Sequence, residues 1–265
     1  MQKIKLLILF AIGLCACSSN LPDRPATIVR CADMPSPRTS ATAFATEDYG
    51  YVFGGRKSDD KNDLTNSLFR YDPTTDSWTE LPPAPLRARV NGTACYVGGK
   101  VYIGLGFCGT IYKDKSYLRD WWEYDPITET WDTLPNYPSR NTLGVISYTD
   151  GNYIYCLYGM CEGFTTEIVR YDIAQRKWQM LTTATNLSIS VMAAAGAQIG
   201  GDCYFGTGYH IDDQDTWYKV DFEGQWQSLN HVPGRGGRSM AVCTANNRYI
   251  YLSGGRHFGG SLTDG

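Results

Sequence analysis

The chain has 265 residues, enough for one large β domain or two smaller domains. Its 43% hydrophobic and 19% charged residues exclude a disordered chain, and a net charge of −3 with no Lys/Arg block interleaved with aromatics argues against a nucleic-acid partner. Abundant Gly (28), Tyr (19) and Trp (7) favour short strands and tight turns over helices.

In chain order, Lys3 and Lys5 form a short basic start, and Leu6 to Leu14 is an apolar run too short to span a bilayer. It ends in Leu14-Cys15-Ala16-Cys17 followed by Ser18-Ser19-Asn20, and the small residue before Cys17 resembles the lipobox of bacterial lipoproteins. That resemblance implies a signal peptide over 1–16, acylation of Cys17 and a linker over 17–25; an ordinary secretory signal is the other reading. With Cys15 in the signal and Cys17 acylated, seven of the nine cysteines remain, an odd number scattered through apparent strands. They read as small buried hydrophobes rather than a disulfide framework, with the state of Cys108 and Cys161 left open.

From there the sequence repeats. Glycines recur at Gly54-Gly55, Gly104 and Gly106, Gly159, Gly206 and Gly208, and Gly254-Gly255, at steps close to 50 residues. Behind the first three clusters come Tyr71-Asp72 with Trp78, Tyr124-Asp125 with Trp131, and Tyr171-Asp172 with Trp178. The fourth has Val220-Asp221 with Trp226. Arg38, Arg89, Arg140 and Arg238 open repeats, with Ser188-Ile189 in that place in the fourth. Each unit holds short β-branched and aromatic runs, such as Thr42–Ala45, Tyr51–Phe53, Ser67–Tyr71 and Trp78–Leu81, which read as four strands. A four-stranded antiparallel sheet with two apolar faces must stack on its neighbours.

This arrangement resembles the kelch repeat over about residues 34–265. The resemblance implies an all-β propeller of four-stranded antiparallel blades, six when complete, with about four and a half present. The domain is expected over 26–265, with 26–33 supplying the closing outer strand of the last blade. Blade five lacks its Tyr-Asp strand before Gly265, so the chain is expected to be a fragment of a longer protein; a five-bladed ring is the other reading, though it too would want that strand.

The implied strand order places the blade-opening arginines and the post-glycine loops on one face. Arg38, Arg56, Arg89, Arg140, Arg238, Arg256, Tyr209, His210 and His257 are therefore the candidate ligand-binding residues. Arginines around a funnel attract carboxylates. Alternatively, each braces its own blade by bonding a local carboxylate or carbonyl. The position two after the last glycine reads Lys57, Cys108, Cys161, His210 and His257, but adjacent blades hold equivalent points on the order of 10 Å apart, so at most a flexible pair could share one ion, and no metal and no cofactor are expected.

Kelch proteins include sialic-acid mutarotases, and Val101–Gly106 is similar to strands of that family. An activity of that type needs a general acid/base, for which Glu162, Asp212 and Asp213 are the nearby acids. The phrase Leu118-Arg119-Asp120-Trp121-Trp122-Glu123-Tyr124-Asp125-Pro126 resembles kelch lipoproteins of Gram-negative bacteria. The leading expectation is a non-catalytic module at the outer membrane, held there only by its N-terminal lipid, that binds a protein segment or a glycan. The alternative is a sugar-acid mutarotase.

Overall fold

The computed structural model describes residues 29–109, 116–140, 142–161, 167–183, 193–209, 212–232, 237–257 and 260–261. Cys17, the segment before it, the first three residues of the expected closing strand, Glu162 and His210 lie outside them.

The described elements are all strands. Blade one is β1 (Thr42–Ala45), β2 (Gly50–Phe53), β3 (Leu68–Asp72) and β4 (Ser77–Leu81), paired in sequence order and antiparallel throughout. Blade two repeats this with β5 (Thr93–Val97), β6 (Lys100–Gly104), β7 (Trp121–Asp125) and β8 (Thr130–Leu134). Blade three consists of β9 (Ile146–Thr149), β10 (Tyr153–Leu157), β11 (Glu167–Asp172) and β12 (Lys177–Thr183). Blade four is β13 (Ala195–Ile199), β14 (Asp202–Gly206), β15 (Trp217–Val220) and β16 (Trp226–Ser228). Blade five contributes the pair β17 (Val242–Ala245) and β18 (Ile250–Ser253), followed by the short hairpin β19 (Arg256–His257) and β20 (Gly260–Ser261). The strands expected for blade one match those found to within a residue or two.

Two compact units result. The first runs from Ala32 to Ser190 and holds blades one to three; the second holds blades four and five and includes Val29–Cys31. Within the first unit β1 packs on β5 and β5 on β9, and within the second β13 packs on β17. The core lies between blades. One cluster joins Tyr51, Phe53, Leu68 and Leu81 of blade one to Val101, Ile103 and Tyr124 of blade two. Another joins Tyr102 and Trp121 of blade two to Ile154, Val169 and Tyr171 of blade three.

The repeated residues earn their places physically. Asp72, Asp125, Asp172 and Asp221 accept backbone N–H bonds from residues two to four ahead, closing the turn between the third and fourth strands. Tyr71–Trp78, Tyr124–Trp131 and Tyr171–Trp178 are cross-strand ring pairs with centroids 4.9, 4.4 and 4.9 Å apart. In blade four Val220 faces Trp226 directly, and Tyr218 takes up the ring contact at 5.9 Å. Trp178 also reaches the preceding blade, donating Nε1–H to the Pro135 carbonyl at 2.8 Å and packing edge-on against Trp121. In the same way, Trp78 donates to the Ala32 carbonyl at 3.0 Å.

The second glycine of each cluster is required by backbone geometry. Gly55, Gly106, Gly159, Gly208 and Gly255 have φ between 90° and 131°. A side chain at Gly106 would meet the Val90 carbonyl at 2.5 Å. The N–H groups of Gly55, Gly106 and Gly208 donate to the carbonyls of Arg89, Thr142 and Arg238 at 2.8, 2.8 and 2.6 Å, stitching blade one to two, two to three and four to five. Position one of the pair is looser: Leu105, Tyr158 and Thr207 occupy it with φ near 58°, where blades one and five use Gly54 and Gly254.

These bonds correct one expectation. Arg140 does not stand where Arg38, Arg89 and Arg238 stand. Leu143, Val90, Thr39 and Ser239 make the equivalent bridges to Met160, Phe107, Arg56 and Arg256, so the residue before Leu143, the fully buried Thr142, holds the arginine's position. Arg140 lies two residues earlier and is exposed.

Candidate functional site

The arginines at the blade entries are used internally. Arg89 is 1% exposed. Its guanidinium grips Asp120 with two parallel bonds of 2.8 and 2.7 Å and also donates to the Leu105 and Arg87 carbonyls at 3.0 and 2.9 Å. Arg38 makes a neutral version of the brace, donating to the carbonyls of Gly54 and Ser36 at 3.0 Å each and to Ser67 Oγ at 2.8 Å. Ser67 and Asp120 occupy the same register position, immediately before the third strand of their blades. In blade three that position is Glu167, which accepts from Ser139 Oγ at 2.5 Å. Arg238, 6% exposed, donates to the Gly254 carbonyl at 3.2 Å. Burial raises the pKa of Asp120, but the bond and charge of Arg89 together with the Trp122 indole outweigh it and hold the carboxyl below its ordinary range.

The described parts of the post-glycine loops carry two concentrations of chemistry. The first is in the blade-one and blade-two loops. A cleft of about 220 Å3 opens between Lys61 and Leu64 on one side and Arg87, Ala88 and Cys108 on the other. Lys61 and Arg87 are exposed, and neither is paired among the described residues. Of the nearby carboxylates, Asp63 bonds Lys57 at 3.4 Å and has its pKa lowered by the Ser58 hydroxyl and by Lys57, Asp60 accepts from Asn62, and Asp59 is exposed. Burial raises the Cys108 thiol pKa, with Arg87 and Arg89 pulling the other way.

A second concentration is in the loops of blades four and five. Asp213, bridged by its backbone to Tyr209, has a side chain only 1% exposed, and its Oδ2 lies 3.5 Å from Nδ1 of His257, which is 46% exposed. His257 Nδ1 is also 3.2 Å from the Gly237 carbonyl, next to Arg238. The structure thus brings Tyr209, Asp213, Arg238 and His257 to one end of blades four and five. Arg256 is exposed at the start of β19, and Arg56 is half-buried, its backbone bridging Thr39 and Leu64.

Among the described residues, no three His, Cys, Asp or Glu side chains converge as a metal-holding set, and no helix is long and apolar enough to cross a membrane. Burial drives the thiols of Cys95 and Cys243 up to about 12, which keeps them protonated and inert at neutral pH. Sequence reasoning missed Asp120, Thr142, Lys61 and Arg87. A usable signal existed for one of them: Arg38, Arg89 and Arg238 each precede the second glycine by seventeen residues, and so does Thr142, whereas Arg140 precedes it by nineteen.

The comparisons with known proteins agree with this architecture. An N-acetylneuraminate epimerase of Haemophilus influenzae (strain 86-028NP) is 26% identical over 244 residues, covering 85% of this chain and 58% of its own length. Kelch-like protein 25 of Xenopus tropicalis is 24% identical over 244 residues, covering 88% of this chain and 39% of its own. The chain therefore spans well under two thirds of the length of these curated relatives. A solved structure titled "Structure of YjhT" superposes with a TM-score of 0.72 at 19% identity, over 87% of this chain and 81% of that one, which shows a shared fold. The family model described as the KLHDC2/KLHL20/DRC7 Kelch-repeats domain matches residues 20–208. With four repeated four-stranded blades and a matching model over most of its length, the chain belongs to the kelch-repeat β-propeller family.

Proposed function

We propose that this chain is a binding module of the bacterial cell envelope, tethered at the outer membrane through acylated Cys17, whose loop face recognises a protein segment or a glycan. One observation carries the reading. The loop tips hold charged side chains without partners among the described residues, Lys61, Arg87 and Arg256, while the entry arginines beneath them bond the fold, Arg89 through a bidentate ion pair and Arg38 and Arg238 through some of their donors. Uncommitted cations on loops held by a rigid scaffold are a recognition surface for anionic or polar ligands. Kelch-like relatives and sugar-acid relatives accord with protein and glycan partners respectively. The closing-strand reading of 26–33 draws support from Ala32, whose N–H donates to Asp76 and whose carbonyl accepts from Trp78, as Pro135 does from Trp178.

Probing glycan and peptide arrays with the full chain and with an Arg87→Gln/Arg256→Gln variant tests the recognition claim. Signals that disappear in the variant support it; signals identical in both overturn it. Replacing Cys17 by Ser tests the tether: the protein should move from the membrane to the soluble fraction, and unchanged fractionation contradicts acylation there.

The sugar-acid mutarotase reading has one observation in its favour, the buried Asp213 carboxylate beside the solvent-reaching His257 with Arg238 next to them. A carboxylate that orients an imidazole leaves the second ring nitrogen to move a proton. Following N-acetylneuraminate anomer exchange by NMR decides it: acceleration lost in His257→Gln supports the enzyme, and no acceleration removes it.

A further inference from the structure

We propose that the cleft between the loops of blades one and two is a binding site for a small ligand carrying one oxyanion head group, a carboxylate or a phosphate, held by Arg87 and Lys61. The proposal rests on the loop-face reading and assigns it a particular pocket.

The cleft is chemically one-sided. Among the described residues, its titratable lining is two cations and a thiol, with no carboxylate. Of the acids nearby, Asp63 is paired with Lys57 and Asp120 with Arg89, and neither Arg87 nor Lys61 has an ion-pair partner among the described residues. Arg87 therefore keeps its five N–H donors for something else, and a planar guanidinium takes carboxylates and phosphates through two parallel bonds. Lys61 comes from the opposite wall as a second, movable charge.

The walls are preorganised. Leu64 packs against the cluster of Val90, Phe107, Tyr117 and Cys161, fixing the blade-one side. On the other side, the Arg87 carbonyl accepts from the Nε of the buried Arg89, so the backbone carrying the exposed arginine is pinned by the brace below. A rigid backbone spends little ordering entropy when the ligand arrives. At about 220 Å3 the space suits a head group and a small body, not a folded domain. Leu64 and Ala88 supply an apolar patch for that body.

Cys108 lines the same cleft and reports on its occupancy. The full-length protein is treated with iodoacetamide, and alkylation of each cysteine is followed by peptide mass spectrometry, with the exposed Cys31 as internal control. The probes share a pyranose body: glucuronate carries a carboxylate, glucose 6-phosphate a phosphate, and glucose neither. The expected result is that one or both anions slow Cys108 alkylation about fivefold at four times the dissociation constant. Cys31 should be unaffected and glucose inactive, and whichever anion protects identifies the head group. Arg87→Gln and Lys61→Gln should fold with unchanged Tm and lose the protection. Equal protection by glucose, no protection by either anion, or protection that survives both substitutions overturns the proposal. If hydrogen exchange places glucuronate at the His257 loop while Cys108 stays unprotected, the cleft assignment falls and loop-face binding stands.

Discussion

Arg87 and Arg89 lie two residues apart on the approach to β5, yet they belong to different regions. Arg89 is in the layer of braces under the loops, 1% exposed and saturated by Asp120 and two carbonyls. Arg87 is among the loop tips, exposed and unpaired among the described residues. The brace arginine recurs in blades one, two and five, and the Arg87 position carries a second exposed arginine, Arg140, in blade three. In a repeat protein, a residue that bonds its own blade at several units answers to packing. A loop-tip charge with no partner among the described residues is the better candidate for function.

Breaking the brace layer should have the largest effect. Asp120→Ala leaves a buried guanidinium without its counter-charge and should cost about 3–5 kcal/mol in urea or thermal unfolding. A loss under 1 kcal/mol would mean that Arg89 is not a brace. The same pair has a pH signature. Because the folded pKa of Asp120 is depressed, its contribution is fully present above the unfolded value of about 3.9 and lost as pH falls through the folded value. Unfolding midpoints between pH 6 and pH 2 should therefore fall less steeply in Asp120→Asn than in the wild type. Gly106→Ala, at φ 90° with a carbonyl 2.5 Å from the added carbon, should cost about 1–3 kcal/mol. Ser67→Ala, which removes only a neutral partner of Arg38, should cost about 1 kcal/mol. At the loop tips, Arg87→Gln and Lys61→Gln should stay within about 0.5 kcal/mol of wild type.

Much of the fold was legible because the repeat exposes what the backbone demands. The second glycine recurs without exception since only glycine accepts its φ and the close carbonyl, and the turn aspartates recur since each closes a turn. The first position of the pair varies in blades two to four because its φ near 58° is open to Leu105, Tyr158 and Thr207 at modest strain. Arg140 matches the other entry residues in type alone, and type is a weaker marker of register than distance to the glycine that the blade cannot change. The site was less legible for a related reason. Whether an arginine is free depends on partners such as Asp120 that sit thirty-one residues away, on a loop whose sequence does not announce the contact. Asp213 and His257 meet across two blades, a pairing that no local pattern encodes.

One paired measurement tests the division between brace and loop tip most directly. Tm and affinity for the anion that protects Cys108, glucuronate or glucose 6-phosphate, are determined for Arg89→Lys and Arg87→Gln, with affinity measured well below either Tm. The expected result is opposite behaviour: Arg89→Lys loses Tm and still binds, while Arg87→Gln keeps its Tm and loses binding. If Arg89→Lys abolishes binding at unchanged Tm, or Arg87→Gln unfolds the protein, the entry arginines are the recognition surface and the account is contradicted.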